Sequence, residues 1–148
     1  MTAIPSTSAV WHASPTLELL NSLSGGSLIG HLGIEFTEIG ADSLTARMPV
    51  DERTRQPLGL LHGGASVALA ETLASWAATL TIDPDRSACV GIEINANHLR
   101  PVRDGWVTGV VRPVMQGRST QVWEIRITDD AGRLVGVSRC TIGIVASR

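Results

Sequence analysis

The chain has 148 residues and a formal net charge of −2, with 43% hydrophobic and 18% charged residues. This suits one domain with a real core, and a charged share below the usual quarter leaves apolar surface for a second subunit to cover. It excludes a nucleic-acid partner, since no basic run or dense aromatic-basic stretch occurs, and a membrane span, since the one long apolar segment carries Glu71 and many Ala, Ser and Thr residues.

Residues 1–14 read as a loose arm, and 15–148 as a single domain. The arm lacks a basic region followed by an apolar core, so it does not read as a signal peptide, and the cytoplasm is expected. Cys89 and Cys140 stand alone without metal-ligand spacing and read as reduced structural thiols. Neither a metal site nor a GxGxxG motif is found, and no cofactor is expected.

Thr16 to Leu23 carries Leu17, Leu19, Leu20 and Leu23 and predicts a short helix, ended by Gly25, Gly26 and Gly30. Ile34 to Ile39 predicts a strand. After a turn at Gly40-Ala-Asp-Ser, alternation of Leu44, Ala46 and Met48 with Thr45 and Arg47 predicts a second strand. Pro49 to Gly59 has no period and reads as a loop. His62 to Ile82, HGGASVALAETLASWAATLTI, reads as a long helix apolar on nearly every side, hence buried. A carboxylate in its middle is costly to bury without a purpose.

Only strands are expected after Asp83-Pro84-Asp85. Val90, Ile92, Ile94, Ala96 and His98 fall on one face by alternation, opposite Gly91, Glu93, Asn95 and Asn97. Trp106 to Arg112 reads as a strand, Pro113 to Ser119 as a connection. Val122 to Ile127 alternates, Asp129-Asp130-Ala131-Gly132 signals a hairpin, and Leu134 to Val145 is a last long strand. The expected class is α+β: a curved antiparallel sheet wrapped around the long helix, with a partner subunit supplying the contacts that the sheet does not.

Three stretches then carry a resemblance. Gln56-Pro-Leu-Gly-Leu-Leu-His62-Gly63-Gly64, Glu71 with Ser75, and Gly91-Ile-Glu-Ile-Asn-Ala-Asn-His98 resemble the hotdog-fold acyl-CoA thioesterases of the 4-hydroxybenzoyl-CoA thioesterase branch. Within it the chain looks most like the 1,4-dihydroxy-2-naphthoyl-CoA hydrolases and the enterobactin proofreading thioesterases. The likeness runs from about Gly30 to the C-terminus. It implies that Glu71 is nucleophile or general base. It implies that the Gly63 N–H polarises the thioester carbonyl, that His62 and Gln56 orient that carbonyl, that Ser75 holds water or the leaving side, and that His98 lines the pocket. Gly117-Arg118-Ser119 looks like the family's phosphate-contacting loop, with Arg100 as a second cation. Gly91 and Ile92 are placed at the pantetheine arm. The resemblance implies an aromatic acyl-CoA substrate, or an acyl or aryl carrier protein, and dimers that pair into tetramers.

The chemistry agrees with the residues themselves. Thioester hydrolysis needs an attacker and a donor for the developing oxyanion. Gly63-Gly64 opens a helix, where N–H groups are unpaired and glycine admits close approach. Desolvation in an apolar segment would make Glu71 a more basic attacker, and Ser75 lies one turn further on the same face. Gly63 and Glu71 are eight residues apart, about 12 Å along a helix. One thioester carbon must lie about 3 Å from both groups. One copy of the helix cannot achieve this; two antiparallel copies can, which places the site at a dimer interface. Trp76, five residues past Glu71, lies about 140° round the helix from it and points away from the carboxylate's own face. In a shared pocket it could still border the acyl group of a site built mainly on the partner helix, as a substrate-binding residue, or it could pack under the sheet.

Singly, each residue has a plainer reading. Glu71 could pair with Arg47 or Arg100. His62 could be only a cap, the two glycines only a turn, Ser75 only packing, His98 only a core histidine, and Arg100 and Arg118 only solvated cations. Three competing functions stand beside the acyl-CoA hydrolase: a carrier-protein proofreading thioesterase, a hotdog hydratase or dehydratase, and a non-catalytic acyl-CoA-binding module.

Overall fold

A computed structural model describes residues 9–147. Its elements in chain order are α1 (Leu17–Ser22), α2 (Leu28–His31), β1 (Glu35–Ile39), β2 (Leu44–Pro49), α3 (Gly63–Leu80), β3 (Ser87–His98), β4 (Trp106–Gln116), β5 (Thr120–Asp129) and β6 (Leu134–Ala146). The six strands form one sheet in the order β1-β2-β4-β5-β6-β3, and every neighbouring pair is antiparallel. α3 packs on one face of this sheet and touches β2 to β6, so the expected sheet around a long helix is present.

The helix is not buried all round. Ser66, Leu69, Ala70, Leu73, Ala74, Ala77 and Ala78 are buried, whereas Gly64, Glu71 and Thr79 on the other side are exposed. Composition hid this, because an Ala-rich face reads as apolar whether a sheet or a groove lies beside it. On the sheet side, Leu69 and Leu73 seat against Gly109. A methyl added there would stand 2.7 Å from Leu73 Cδ1, so glycine sets how closely helix and sheet approach. Trp123 is fully buried, and its Nε1–H donates to Gln121 Oε1 at 3.0 Å. Gln121 Nε2 in turn donates to Thr81 Oγ1 at 2.8 Å, which ties the helix end to β5. Among the described residues every buried side-chain nitrogen and oxygen has a hydrogen-bond partner, as burial requires.

The strand boundaries depart from the alternation in two places. β4 continues to Gln116, so Pro113 to Gln116 is strand rather than connection, with a bulge between Pro113 and Met115 that accommodates a proline inside a ladder. β3 has a second bulge between Gly91 and Glu93. One extra residue reverses the faces beyond it. Val90 and Ile92 are therefore exposed, while Ile94 and Ala96 are half-buried, and the five residues expected on one face divide between two. β3 is also an edge: among the described residues only β6 pairs with it, and 12 residues of ladder are open on its other side.

The described end of the N-terminal arm is tied down. Val10 N–H donates to Ala41 O, His12 N–H to Leu80 O and Trp11 Nε1–H to Gly40 O, all within 3.0 Å. Residues 1–8 of the predicted arm lie outside the described residues. Asn21 of α1 clamps β1 through both Phe36 backbone groups, its Nδ2–H donating to Phe36 O and its Oδ1 accepting from Phe36 N–H. Among the described residues no helix is long and apolar enough to cross a membrane.

Candidate active site

α3 begins at Gly63, with His62 as its N-cap: His62 Nδ1 accepts from Gly64 N–H at 2.8 Å. The cap uses one of the free donors of the first turn. The N–H groups of Ala65 and Ser66 bond back to His62 O. Gly63 N–H is left without a partner among the described residues, at the positive end of an 18-residue helix.

Gly63 lines a cavity of about 340 Å³ with Gln56, Ser66, His98, Leu99 and Arg100. His98 closes directly over the glycine. A methyl on residue 63 would stand 2.8 Å from His98 Nε2, so only glycine leaves both the backbone N–H and the imidazole in place. The loop that carries Gln56 is held by its own bonds. Gln56 N–H donates to Leu60 O at 2.7 Å and the Gln56 side-chain oxygen accepts from Leu58 N–H. This cavity gathers a free backbone donor, an imidazole, an amide and a guanidinium, the groups that hold and polarise a carbonyl.

Glu71 is elsewhere. It lines a second cavity of about 290 Å³ with Leu28, Ile29, Ala68, Thr72, Ser75 and Trp76. The walls are almost wholly apolar apart from the carboxylate and two hydroxyl groups. Glu71 is exposed in the protomer and makes no ion pair among the described residues. Arg47, one partner considered for it, instead grips Glu35 at 2.8 Å and lies over the Trp106 ring at 4.2 Å. Within one chain the sheet leaves the Glu71 carboxylate open, and neither Arg47 nor Arg100 pairs with it.

The structure brings Gln56, Gly63, His98 and Arg100 together, and separately Glu71, Ser75 and Trp76. His62 lines a third cavity, with Leu28, Arg53, Thr54, Arg55, Gly64 and Ala68. Trp76, for which a place beside the acyl group and one in the packing were both open, borders the same cavity as Glu71. Its ring also meets Phe36 edge-on, with centroids 6.2 Å apart and planes at 81°. A helical wheel places Cβ atoms; an indole is long enough to span the difference.

Gly91 and Ile92 part company at the β3 bulge. Gly91 faces Glu71, while Ile92 lies 63% exposed on the outer face beside Gly143. Arg118 and Gly117 line a cavity at the far end of α3, with Thr81, Asp83, Ser87 and Gln121. Gly117 N–H donates to Thr120 O at 2.9 Å, and a methyl at 117 would stand 2.8 Å from that oxygen, so this glycine serves the hairpin turn. Ser119 O accepts from Ile144 N–H. Within one chain, neither Arg118 nor Ser119 lines the cavity of Gly63 or that of Glu71. The sequence reading missed α2, whose Leu28 and Ile29 wall the Glu71 cavity, and Ser66 and Thr72. The last two were legible from helical spacing; α2 is too short to give a period.

Comparison with known proteins supports the same chemistry. The thioesterase superfamily pattern matches residues 58–136. The chain is 50% identical over 136 residues to the 1,4-dihydroxy-2-naphthoyl-CoA hydrolase of Escherichia coli, covering 92% of this chain and 99% of that protein. It is 52% identical over 136 residues to the proofreading thioesterase EntH of Cronobacter turicensis, covering 92% and 98%. A crystal structure of a mutant thioesterase from Pseudomonas aeruginosa superposes with a TM-score of 0.93 at 48% identity, over 94% of this chain and 100% of that one. The sheet wrapped around α3 is therefore the hotdog fold, and the chain belongs to the thioesterase superfamily as a hydrolase of thioesters.

Proposed function

We propose that the protein hydrolyses aromatic acyl-CoA thioesters to the free acid and CoA, at a site shared between two subunits. The observation that carries this reading is the division of the chemistry. The free Gly63 N–H with His98 and Gln56 lines one cavity, and Glu71 with Ser75 lines another, on one rigid helix. Eight residues of helix separate the two groups by about 12 Å, several times the reach of one reacting carbon. An antiparallel second copy of α3 sets Gly63 of one subunit against Glu71 of the other. The open β3 edge offers the means, since 12 residues of unpaired ladder can continue the sheet into a partner. Such an arrangement also covers Glu71, whose attack gains from exclusion of water.

In this site Gly63 N–H donates to the carbonyl oxygen and holds it as it becomes an oxyanion. His62 keeps that N–H available by capping Gly64 instead. Gln56 and His98 orient the carbonyl. Glu71 attacks the carbon or draws a proton from a water held by Ser75, and the thiolate of CoA leaves. Arg100 borders the donor cavity and is the nearer of the two proposed cations for the CoA phosphates; Arg118 serves only if the dimer brings the far end of α3 towards a site. CoA enters as part of the substrate, and we assign no resident cofactor. The two free thiols, Cys89 and Cys140, suit a reducing compartment, so we place the reaction in the cytoplasm. Val90, Ile92 and Val145, exposed on the outer sheet face, are the surface by which dimers would pair into tetramers.

A second reading has the acyl group delivered on a carrier protein, as the likeness to a proofreading thioesterase favours. The arm and the chemistry are the same; only the surface beyond the arm differs.

The test is thiol release from benzoyl-CoA and from a benzoyl-loaded aryl carrier protein, with and without Glu71→Gln. We expect hydrolysis of the CoA ester, and a fall in kcat of at least about 10²-fold in the variant, the usual size of covalent or general-base help. Near-wild-type turnover by Glu71→Gln would overturn the role of Glu71; turnover of the carrier-protein ester alone would favour the second reading.

A further inference from the structure

One face of α3 is left uncovered by the sheet. Gly64, Ala68, Glu71, Thr72, Ser75 and Trp76 recur at helical spacing along it. Two cavities of about 290 Å³ each lie end to end on this face. One holds Glu71, Ser75 and Trp76; the other holds His62, Gly64, Arg53 and Arg55. They share two side chains only, Ala68 from the helix below and Leu28 from α2 above. Ala68 contributes only a methyl group, so Leu28 is the one large side chain common to both cavities.

The backbone on either side of Leu28 is tied by hydrogen bonds. Gly30 N–H and Ser27 Oγ–H both donate to Ser24 O, at 3.2 and 2.6 Å, and Ile34 N–H donates to Ile29 O at 3.0 Å. Gly26 and Gly33 bracket α2 with φ of +70° and +69°, a conformation that side chains rarely adopt. Gly30 cannot carry a side chain without a shift, since a methyl there would stand 2.6 Å from Ser24 O. Leu28 itself is 62% exposed, so its isobutyl group is not spent on the core. A large apolar side chain outside the core, at the boundary shared by two cavities on the helix face that carries Glu71, is placed for selection.

We propose that Leu28 is a specificity-determining residue: it separates the acyl compartment beside Glu71 from the second compartment beside His62, and so sets the length of the acyl group that the site accepts. This rests on the reading of Glu71 as the attacker. Compact aryl and short acyl groups fit the first compartment between Ala68 and Trp76. A long alkyl chain must pass Leu28 to continue along the helix.

The experiment compares kcat/KM for hexanoyl-CoA and dodecanoyl-CoA in the wild type, Leu28→Ala, Leu28→Met and the double variant Leu28→Ala/Ala68→Leu, each assayed also with Glu71→Gln. Leu28→Ala should raise the dodecanoyl-to-hexanoyl ratio at least about tenfold, the discrimination that a few methylenes of pocket wall supply. Leu28→Met, which keeps the bulk, should leave the ratio within about twofold, and Ala68→Leu should return the double variant towards the wild-type ratio, because it refills the passage from the other side. Leu28 lies outside the protomer core, so its truncation leaves no core cavity, and a thermal melt with size-exclusion chromatography checks that fold and assembly match the wild type. An unchanged ratio in Leu28→Ala, with hydrolysis still dependent on Glu71, would overturn the gate alone. Hydrolysis that survives Glu71→Gln would overturn the catalytic reading and the compartment assignment with it.

Discussion

Gly91 on the edge strand lies against the carboxylate of Glu71: a methyl at residue 91 would stand 3.1 Å from Glu71 Oε1. The absence of a side chain at 91 is what lets the carboxylate rest where it does. The contact couples the bulge of β3 to the middle of α3, so the edge strand bears on the position of the Glu71 carboxylate as well as bounding the sheet.

Gly91→Ala should therefore displace the carboxylate by a few tenths of an ångström while leaving the fold intact. We expect kcat to fall about tenfold with KM little changed, since small errors in the placement of a reacting group are costly. Steady-state kinetics beside a thermal melt check this. A Gly91→Ala enzyme with wild-type kcat would show that Glu71 moves freely in its cavity and is not set by the strand.

Trp76 has two duties in the structure, a wall of the Glu71 cavity and an edge-to-face partner of Phe36. A flat acyl group beside the indole gains about 0.5–1.5 kcal/mol over an alkyl chain. Aryl-CoA esters should show higher kcat/KM than esters of long alkyl acids, and Trp76→Ala should narrow or reverse that ratio. It should also lower the melting temperature, because Phe36 loses its partner. A folded Trp76→Ala enzyme with an unchanged ratio would leave the residue as packing for Phe36 alone.

Cys140 is buried against α3, and its thiol is pushed up to about 11, first by burial and then by the negative charges of Glu71 and Glu93. The folded protein holds this proton more tightly than the unfolded chain does. Its contribution is therefore complete below the ordinary thiol pKa and is lost as pH rises from there towards 11. Denaturant unfolding should show stability falling over that alkaline window, with a shallower fall in Cys140→Ala. At neutral pH a thiol reagent should label the half-buried Cys89 before Cys140. Burial raises Cys89 as well, so labelling of both should be slow.

Much of this fold was legible because the signals were periodic. The alternation in β2 and β5, the long apolar run of β6, the small-residue run of α3 and the Asp129–Gly132 turn each predict what forms. At that turn Asp129 accepts from the backbone N–H of Ala131 and Arg133, and Gly132 takes a φ of +74°. Bulges were not legible. They add one residue without changing composition, so Ile92 and Pro113 were assigned to the wrong face and the wrong element. The site divides in the same way. His62, Gly63 and Glu71 could be read from helix chemistry, because an N-terminal glycine pair and a lone carboxylate conflict with an otherwise apolar helix. The meeting of Gly91 with Glu71, of His98 with Gly63, and of Leu28 with Ala68 depends on how distant elements cross. No local pattern encodes that.

In the proposed dimer each site takes Gly63 from one subunit and Glu71 from the other. Two variants test it directly: Glu71→Ala, which removes the attacker, and His62→Ala, which disturbs the donor end of α3. Each must be nearly inactive alone. Unfolded together and refolded as a one-to-one mixture, half of the dimers are mixed and each carries one site with both groups intact, so activity should return to about a quarter of the wild-type value. Mixed dimers, verified by tag and mass, that remain as inactive as the parents would contradict the shared site and place Gly63 and Glu71 in the service of different chemistry.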